Sequence, residues 1–310
     1  MVEQNSEIED IKSVRVRYST IVNYTSQIYR LIIAIGFALI VTRKLSVEDY
    51  GVFTTIIGMT GVINSVYGVW NFWITRFYAR RRYDIVSSAF MLDLLFAPLG
   101  LLIYLLASLY YSLAIDIEII YFLLGSLLII TALFNGYSRA IVSGSRPFIE
   151  GKVVILLGSA RILFAYVFVA LFRLGLFGAL LAMIVAQSLT ILFYLFFMKY
   201  YNVKIIKPSL KKDKILILIS NSYISFLVAF YTLLTQVERP YLTAITCSTL
   251  AAAYLGVSYI PRSVILQSGR AFISGLYARL LRKPVREDIE DILRISFIIN
   301  LGILSILLLS

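Results

Sequence analysis

The sequence predicts an all-α polytopic membrane protein of about nine transmembrane helices, a six-helix N-terminal lobe followed by an incomplete C-terminal lobe. Three observations predict it. The 310-residue chain is 60% hydrophobic, with a mean hydropathy of +0.88. Only 15% of it is charged, against about 25% in an ordinary soluble domain. Apolar runs of about 20 residues, the length a helix needs to cross a bilayer, recur along its length.

The same composition excludes several classes of function. The single cysteine, Cys247, rules out an intrachain disulfide and a cysteine metal cluster. There is no histidine, so histidine acid–base chemistry and the commonest zinc sites are missing too. No phosphate-cradling glycine loop, catalytic carboxylate pair or acidic metal motif is present, which argues against an enzyme and against a bound cofactor. The net charge of +12 comes mostly from Lys and Arg between the apolar spans. That distribution follows membrane topology and gives no reason to expect nucleic acid.

Taken in order, residues 1–18 form a polar N-terminal segment. The spacing of Ile8, Ile11 and Val14 suits a short amphipathic surface helix, with a frayed tail as the alternative. No short apolar core with a small-residue cleavage site precedes the first span, which reads as an uncleaved signal-anchor. Spans at 20–41, 50–73, 88–111, 117–138, 153–172 and 174–198 make the N-terminal lobe, residues 19–198. A basic linker at 199–214 contains Pro208 and six lysines. Spans at 215–236, 250–273 and 291–310 make the partial C-terminal lobe, residues 215–310. Lys12, Arg15, Arg17, Arg80, Arg81, Arg82 and the linker lysines fall on the side of the N-terminus, with only Arg43, Lys44, Arg173 and Arg239 opposite. The positive-inside rule therefore puts the N-terminus in the cytoplasm of a multi-pass protein of the cell membrane.

Charge inside the spans carries the functional argument. Arg30, Arg161 and Arg262 sit near the centres of theirs, where each costs about 2.5–3.5 kcal/mol on the insertion scale. They must face protein or water. Asn23, Gln27 and Arg30 share one face of the first span. On the second, Thr60, Asn64, Tyr67, Asn71 and Thr75 recur at steps of three and four, a hydrophilic stripe. Two apolar helices with hydrophilic seams imply a wet crevice. Arg30 then reads as an anion-binding residue, the alternative being an ion pair with Asp93, the only carboxylate clearly inside a span. Arg262 follows Pro261, a break in the eighth helix, with Ser258 on the same face. It reads as a substrate residue, or else as hydrogen-bonding glue at a kink. Arg161 reads as the partner of Asp93, while the rival reading makes Asp93 a proton or cation coupling site. Asn221, Ser225, Thr232 and Gln236 share a face of the seventh span, which ends at Glu238 and Arg239. These last two, with Arg76, are candidate gate or rim residues.

The turn Leu45-Ser46-Val47-Glu48-Asp49-Tyr50-Gly51-Val52-Phe53 resembles the first hairpin of the polysaccharide (O-antigen-type) flippases, within the multidrug/oligosaccharidyl-lipid/polysaccharide exporter superfamily. Leu174-Gly175-Leu176-Phe177-Gly178-Ala179 is similar to the opening of that family's sixth span. Glu238 near Arg239, followed by Ala251 to Tyr254, is similar to its seventh-to-eighth span region. The resemblance implies a flippase that moves a lipid-linked oligosaccharide, a polyprenyl phosphate or pyrophosphate glycan, from the cytoplasmic to the outer leaflet. It implies a V-shaped pair of lobes lined by spans 1, 2, 7 and 8, with Arg30 and Arg262 in a cationic interior. Membrane lipids and glycosyltransferases or polymerases are the implied partners. Family members usually have more spans, so a second chain supplying further helices is another expected partner. The alternatives are a cation-coupled small-molecule exporter of the same fold and a truncated, non-transporting membrane subunit.

Overall fold

A computed structural model describes residues 16–246 and 248–258. The predicted apolar runs become helices α1 (Val16–Lys44), α2 (Val47–Ala79), α3 (Tyr83–Ala114), α4 (Ile119–Ser145), α5 (Phe148–Ala165) and α6 (Gly175–Tyr200). A π-helical turn, Tyr166–Leu171, extends α5. Then come α7 (Lys212–Asn221), α8 (Tyr223–Thr246) and a helical segment at 250–258. The residues before 16, the remainder of the eighth predicted span with Pro261 and Arg262, and the ninth lie outside the described residues.

Among the described residues, α1 to α6 are each long and apolar enough to cross a membrane. The helices outrun the predicted spans. At 33 residues, α2 is about 50 Å long, well beyond a hydrocarbon core of roughly 30 Å. Ser46 caps its start by accepting from the Asp49 amide at 3.0 Å, and Glu48 and Asp49 complement the positive end of the helix. The seventh span departs from expectation. It is a bent pair, α7 and α8, with a 68° change of direction around Ser222.

The bundle is centred on α2, which packs along α3, α4 and α8, while α6 packs on both α4 and α5. The first helix lies on α5 and scarcely touches α2, its neighbour in sequence. The consecutive helices α1 and α2 therefore diverge from their shared turn. That turn marks one end of the bundle (the turn end); the connection after α6 marks the other (the linker end).

Close helix contact is written into small residues. A methyl on Gly125 of α4 would overlap the Tyr104 hydroxyl of α3 and come within 2.9 Å of Ile56 on α2. Tyr104 is 1% exposed and donates its hydroxyl hydrogen to the Phe122 carbonyl at 2.8 Å, so it has nowhere to retreat. Gly125→Ala is expected to destabilise the lobe by about 1–3 kcal/mol, the usual cost of overpacking, seen as a lowered melting temperature in detergent. An unchanged melting temperature would contradict this packing.

The basic linker is no loose tether. Residues 203–211 run without helix or strand across the linker end. Tyr78 of α2 donates to the Lys204 carbonyl at 2.9 Å and Tyr137 of α4 to that of Ile206 at 2.8 Å. Ser87 and Ser88 of α3 donate to the carbonyls of Lys207 and Ser209 at 2.6 and 3.2 Å. Val203 and Ile206 are buried beneath it, and Lys214 pairs with Asp84 at 3.1 Å. The linker is a strap belonging to the N-terminal lobe.

Candidate functional site

A polar interior lies among α1, α4, α5 and α6, toward the linker end. The fourth helix supplies a stripe at steps of four: Thr131, Asn135, Arg139 and Ser143. Thr131 donates to Gln187 Oε1 of α6 at 2.7 Å, and Asn135 Nδ2 donates to the Gln187 carbonyl at 3.1 Å. One turn on, Arg139 Nε donates to Glu150 Oε1 of α5 at 2.6 Å, and the Ser143 hydroxyl donates to Glu150 Oε2. Glu150 is nearly enclosed, yet the Arg139 side chain is 53% exposed. The cluster, the polar hollow of the lobe, is thus part enclosed and part accessible.

Arg30 of α1 enters the same region, half-buried and within electrostatic range of Arg161 on α5 and Tyr194 on α6. Tyr194 is itself buried, within range of Arg139 and Glu150 as well. The Arg161 guanidinium stands 4.0 Å from the centroid of the Phe37 ring, with Nη2 3.8 Å from the Met183 sulfur. Its Nε is buried without a hydrogen-bond partner. Among the described residues, Arg30, Arg139 and Arg161 share an interior whose nearby carboxylate is Glu150, and these side chains make the hollow electropositive.

Several expected placements are corrected. Arg161 and Asp93 do not pair: Arg161 lies at the contact of α1, α5 and α6, whereas Asp93 of α3 lies beside Tyr67 of α2. Arg30 lies within electrostatic range of Arg161 and Tyr194 instead of Asp93. The hydrophilic stripe of α2 turns away from α1. Tyr67 donates to the Ala97 carbonyl of α3 at 3.1 Å, and the Asn71 amide faces Gly136 of α4. Thr60 and Thr75 bond back to their own helix. Asn64 Oδ1 and Asn71 Oδ1 are buried without a hydrogen-bond partner, which suits packing positions better than a wet wall. Asn23, also with an unpartnered Oδ1, faces Gly151 of α5, and Gln27 is buried one turn along.

The remaining candidates lie apart from the hollow. Arg76 stacks over Trp73, 5.3 Å from the ring centroid, near the linker end. Glu238 is exposed and falls inside α8 rather than at its end. Arg239 follows it, with its side chain outside the described residues. Ser258 is exposed and bonds back to the Leu255 carbonyl at 2.8 Å. Arg262 lies outside the described residues. Arg139, Glu150, Asn135, Gln187 and Tyr194 were missed from the sequence. The signal was present in the four-residue steps 131, 135, 139 and 143, which run past the predicted end of the fourth span at 138.

A second cluster joins α2 to the C-terminal part at the turn end. Thr55 and Thr243 share a hydrogen bond at 2.8 Å, and Thr54 donates to the Ala252 carbonyl at 3.0 Å. Tyr111 donates to the Pro240 carbonyl at 2.6 Å. Gly51 meets the Thr249 backbone so closely that a Cβ there would run into the Thr249 carbonyl oxygen. Farther along, Gln236 covers Gly61, and Phe226 stands edge-on to Trp70.

No family model matches the chain, and no curated protein matches it. Solved structures do. The chain superposes on the MATE multidrug transporter DinF-BH, solved as a complex, with a TM-score of 0.67 over 96% of this chain and 71% of that one, at 11% identity. A MOP superfamily transporter from Pyrococcus furiosus, described as having a binding pocket of reversed polarity, gives 0.64 over 95% and 71%, at 13% identity. An outward-facing multidrug resistance MATE transporter also gives 0.64 over 95% and 71%, at 14%.

Proposed function

The fold is that of the MATE transporters of the MOP superfamily, and from it we propose that the chain is a flippase for a lipid-linked oligosaccharide. The observation that carries this reading is the electropositive hollow of Arg30, Arg139 and Arg161. A phosphate or pyrophosphate linking glycan to lipid is the group such guanidiniums hold best, through charge-assisted, bidentate hydrogen bonds. The divergence of α1 from α2 supports the rest of the cargo: a glycan can lie in the hollow while its lipid tail stays in the bilayer. Loading from the cytoplasmic leaflet and release to the outer one are what the resemblance to the polysaccharide flippases implies.

Each charge-assisted hydrogen bond contributes about 1.5–3 kcal/mol. Arg30→Ala and Arg139→Ala are therefore each expected to weaken cargo binding by roughly ten- to a hundred-fold. The assay is leaflet accessibility of a fluorescent polyprenyl-linked glycan in proteoliposomes, with Arg76→Ala as a charge-matched control. Unchanged transport in both variants would overturn the reading. A second reading, a small-molecule exporter, is favoured by the multidrug transporters that share the fold. Movement of a drug-sized dye without movement of the glycan would establish it.

A further inference from the structure

We propose that the corner where α4, α5 and α6 meet at the linker end is a binding site for the headgroup of an anionic phospholipid. Two cations share one ring there. Arg146, which follows α4, holds its guanidinium 5.9 Å from the centroid of the Tyr201 ring, and the Lys152 ammonium of α5 stands 5.4 Å from the same centroid. The ammonium also lies 5.3 Å from the Phe148 ring and 5.9 Å from that of Phe197, and it donates to the Tyr201 hydroxyl at 3.0 Å. Aromatic faces hold a cation in place without neutralising it. Glu150, two residues before Lys152, is already engaged by Arg139 and Ser143. Arg146 forms no ion pair among the described residues. Two like charges on one ring repel, and an anion set between them is held by both.

The outward face of α6 selects the anion. Leu192, Leu195, Phe196, Lys199 and Tyr200 recur at helical spacing and are all exposed. Along this stripe aliphatic side chains give way to an aromatic ring, then to a cation and a tyrosine. That is the order met on passing from the hydrocarbon of a bilayer to its headgroups. Ring contacts run from Phe196 and Tyr200 through Phe197 and Tyr201 to Phe148, so the stripe and the cation pair are one continuous surface. An acyl chain lies along Leu192, Leu195 and Phe196 while its phosphate meets Lys199, Arg146 and Lys152. A soluble anion would meet the same charges and gain nothing from the apolar stripe.

The corner adjoins the hollow. Arg146 closes the helix that carries Arg139 and Ser143, and Lys152 lies two residues beyond their shared partner Glu150. A phosphate bridging Arg146 and Lys152 therefore ties the end of α4 to the start of α5 beside that ion pair. The lipid site does not depend on the transport reading above.

The test is a lipid titration of the purified protein in detergent, followed by native mass spectrometry. The wild type should bind phosphatidylglycerol more tightly than phosphatidylcholine, and Arg146→Gln/Lys152→Gln should weaken phosphatidylglycerol binding by about thirty-fold. Lys207→Gln/Lys211→Gln, which removes the same charge from the strap, should weaken it far less. Equal affinity of the wild type for the two lipids, or equal losses in the two double variants, overturns the site. Thermal unfolding separates the sources of the anion: phosphatidylglycerol should raise the melting temperature, and inorganic phosphate at the same concentration should not. An equal rise with inorganic phosphate assigns the pair to a soluble anion and overturns the lipid. Should the double variant fail to fold, Arg146→Gln alone, at a half-buried position past the end of α4, is expected to weaken phosphatidylglycerol binding about five-fold. Undiminished binding in that variant overturns the proposal as well.

Discussion

Oxidising a Thr55→Cys/Thr243→Cys pair, in a Cys247→Ser background, is expected to stop transport, and reduction to restore it. The two hydroxyl oxygens are 2.8 Å apart, so the replacing sulfurs start close to a bond length of about 2.05 Å. The bond would lock α2 to α8 at the turn end, where Thr54 and Gly51 of α2 already meet Ala252 and Thr249, and Tyr111 of α3 bonds Pro240 of α8. On the proposed transport function, alternating access parts this seam in each cycle. A covalent lock therefore reduces turnover to background rather than by a modest factor. Full cross-linking with undiminished transport would show that the seam never opens. Cross-linking readout is independent of cargo: gel mobility reports bond formation, and the transport assay reports its consequence.

Glu150→Ala is expected to be the most damaging single change to stability inside the hollow, by about 3 kcal/mol, the lower end of the cost of breaking a buried ion pair. The lower end applies because Arg139 retains partial access to water. The loss has two sources. Arg139 loses its carboxylate partner, and three guanidiniums then repel one another without the nearby counter-charge. Ser143 loses its acceptor as well. Thermal unfolding in detergent measures the effect, and Arg139→Ala/Glu150→Ala should recover part of it because the stranded charge is gone. A Glu150→Ala protein as stable as the wild type would mean that the pair contributes nothing to the lobe.

The helices and their order were legible because hydrocarbon length and helical rise are fixed quantities. The ends were not, since α2 and α4 continue as helix well beyond their apolar stretches. That is why Arg139 fell just past the predicted end of the fourth span, at 138, and Glu150 just before the fifth, at 153. Facing was harder still. The steps from Thr60 to Thr75 correctly describe one stripe of α2, but periodicity says nothing about which neighbour a stripe meets. It meets α3 and α4. Charge arithmetic assigns Arg161 to Asp93, and the structure instead sets it against the face of Phe37 and a sulfur. An aromatic ring is a partner that counting acids and bases does not find. The break at Ser222 carries no proline or glycine that would announce it.

The strap from Val203 to Lys211 sets where the molecule can articulate. Its carbonyls are pinned to Tyr78, Tyr137, Ser87 and Ser88, which leaves no slack between α6 and α7. With Lys214 also pinned to Asp84, the first free joint downstream is the elbow at Ser222. A swing of the second half would therefore pivot at that elbow, with α8 as its lever arm, instead of drifting on a flexible leash.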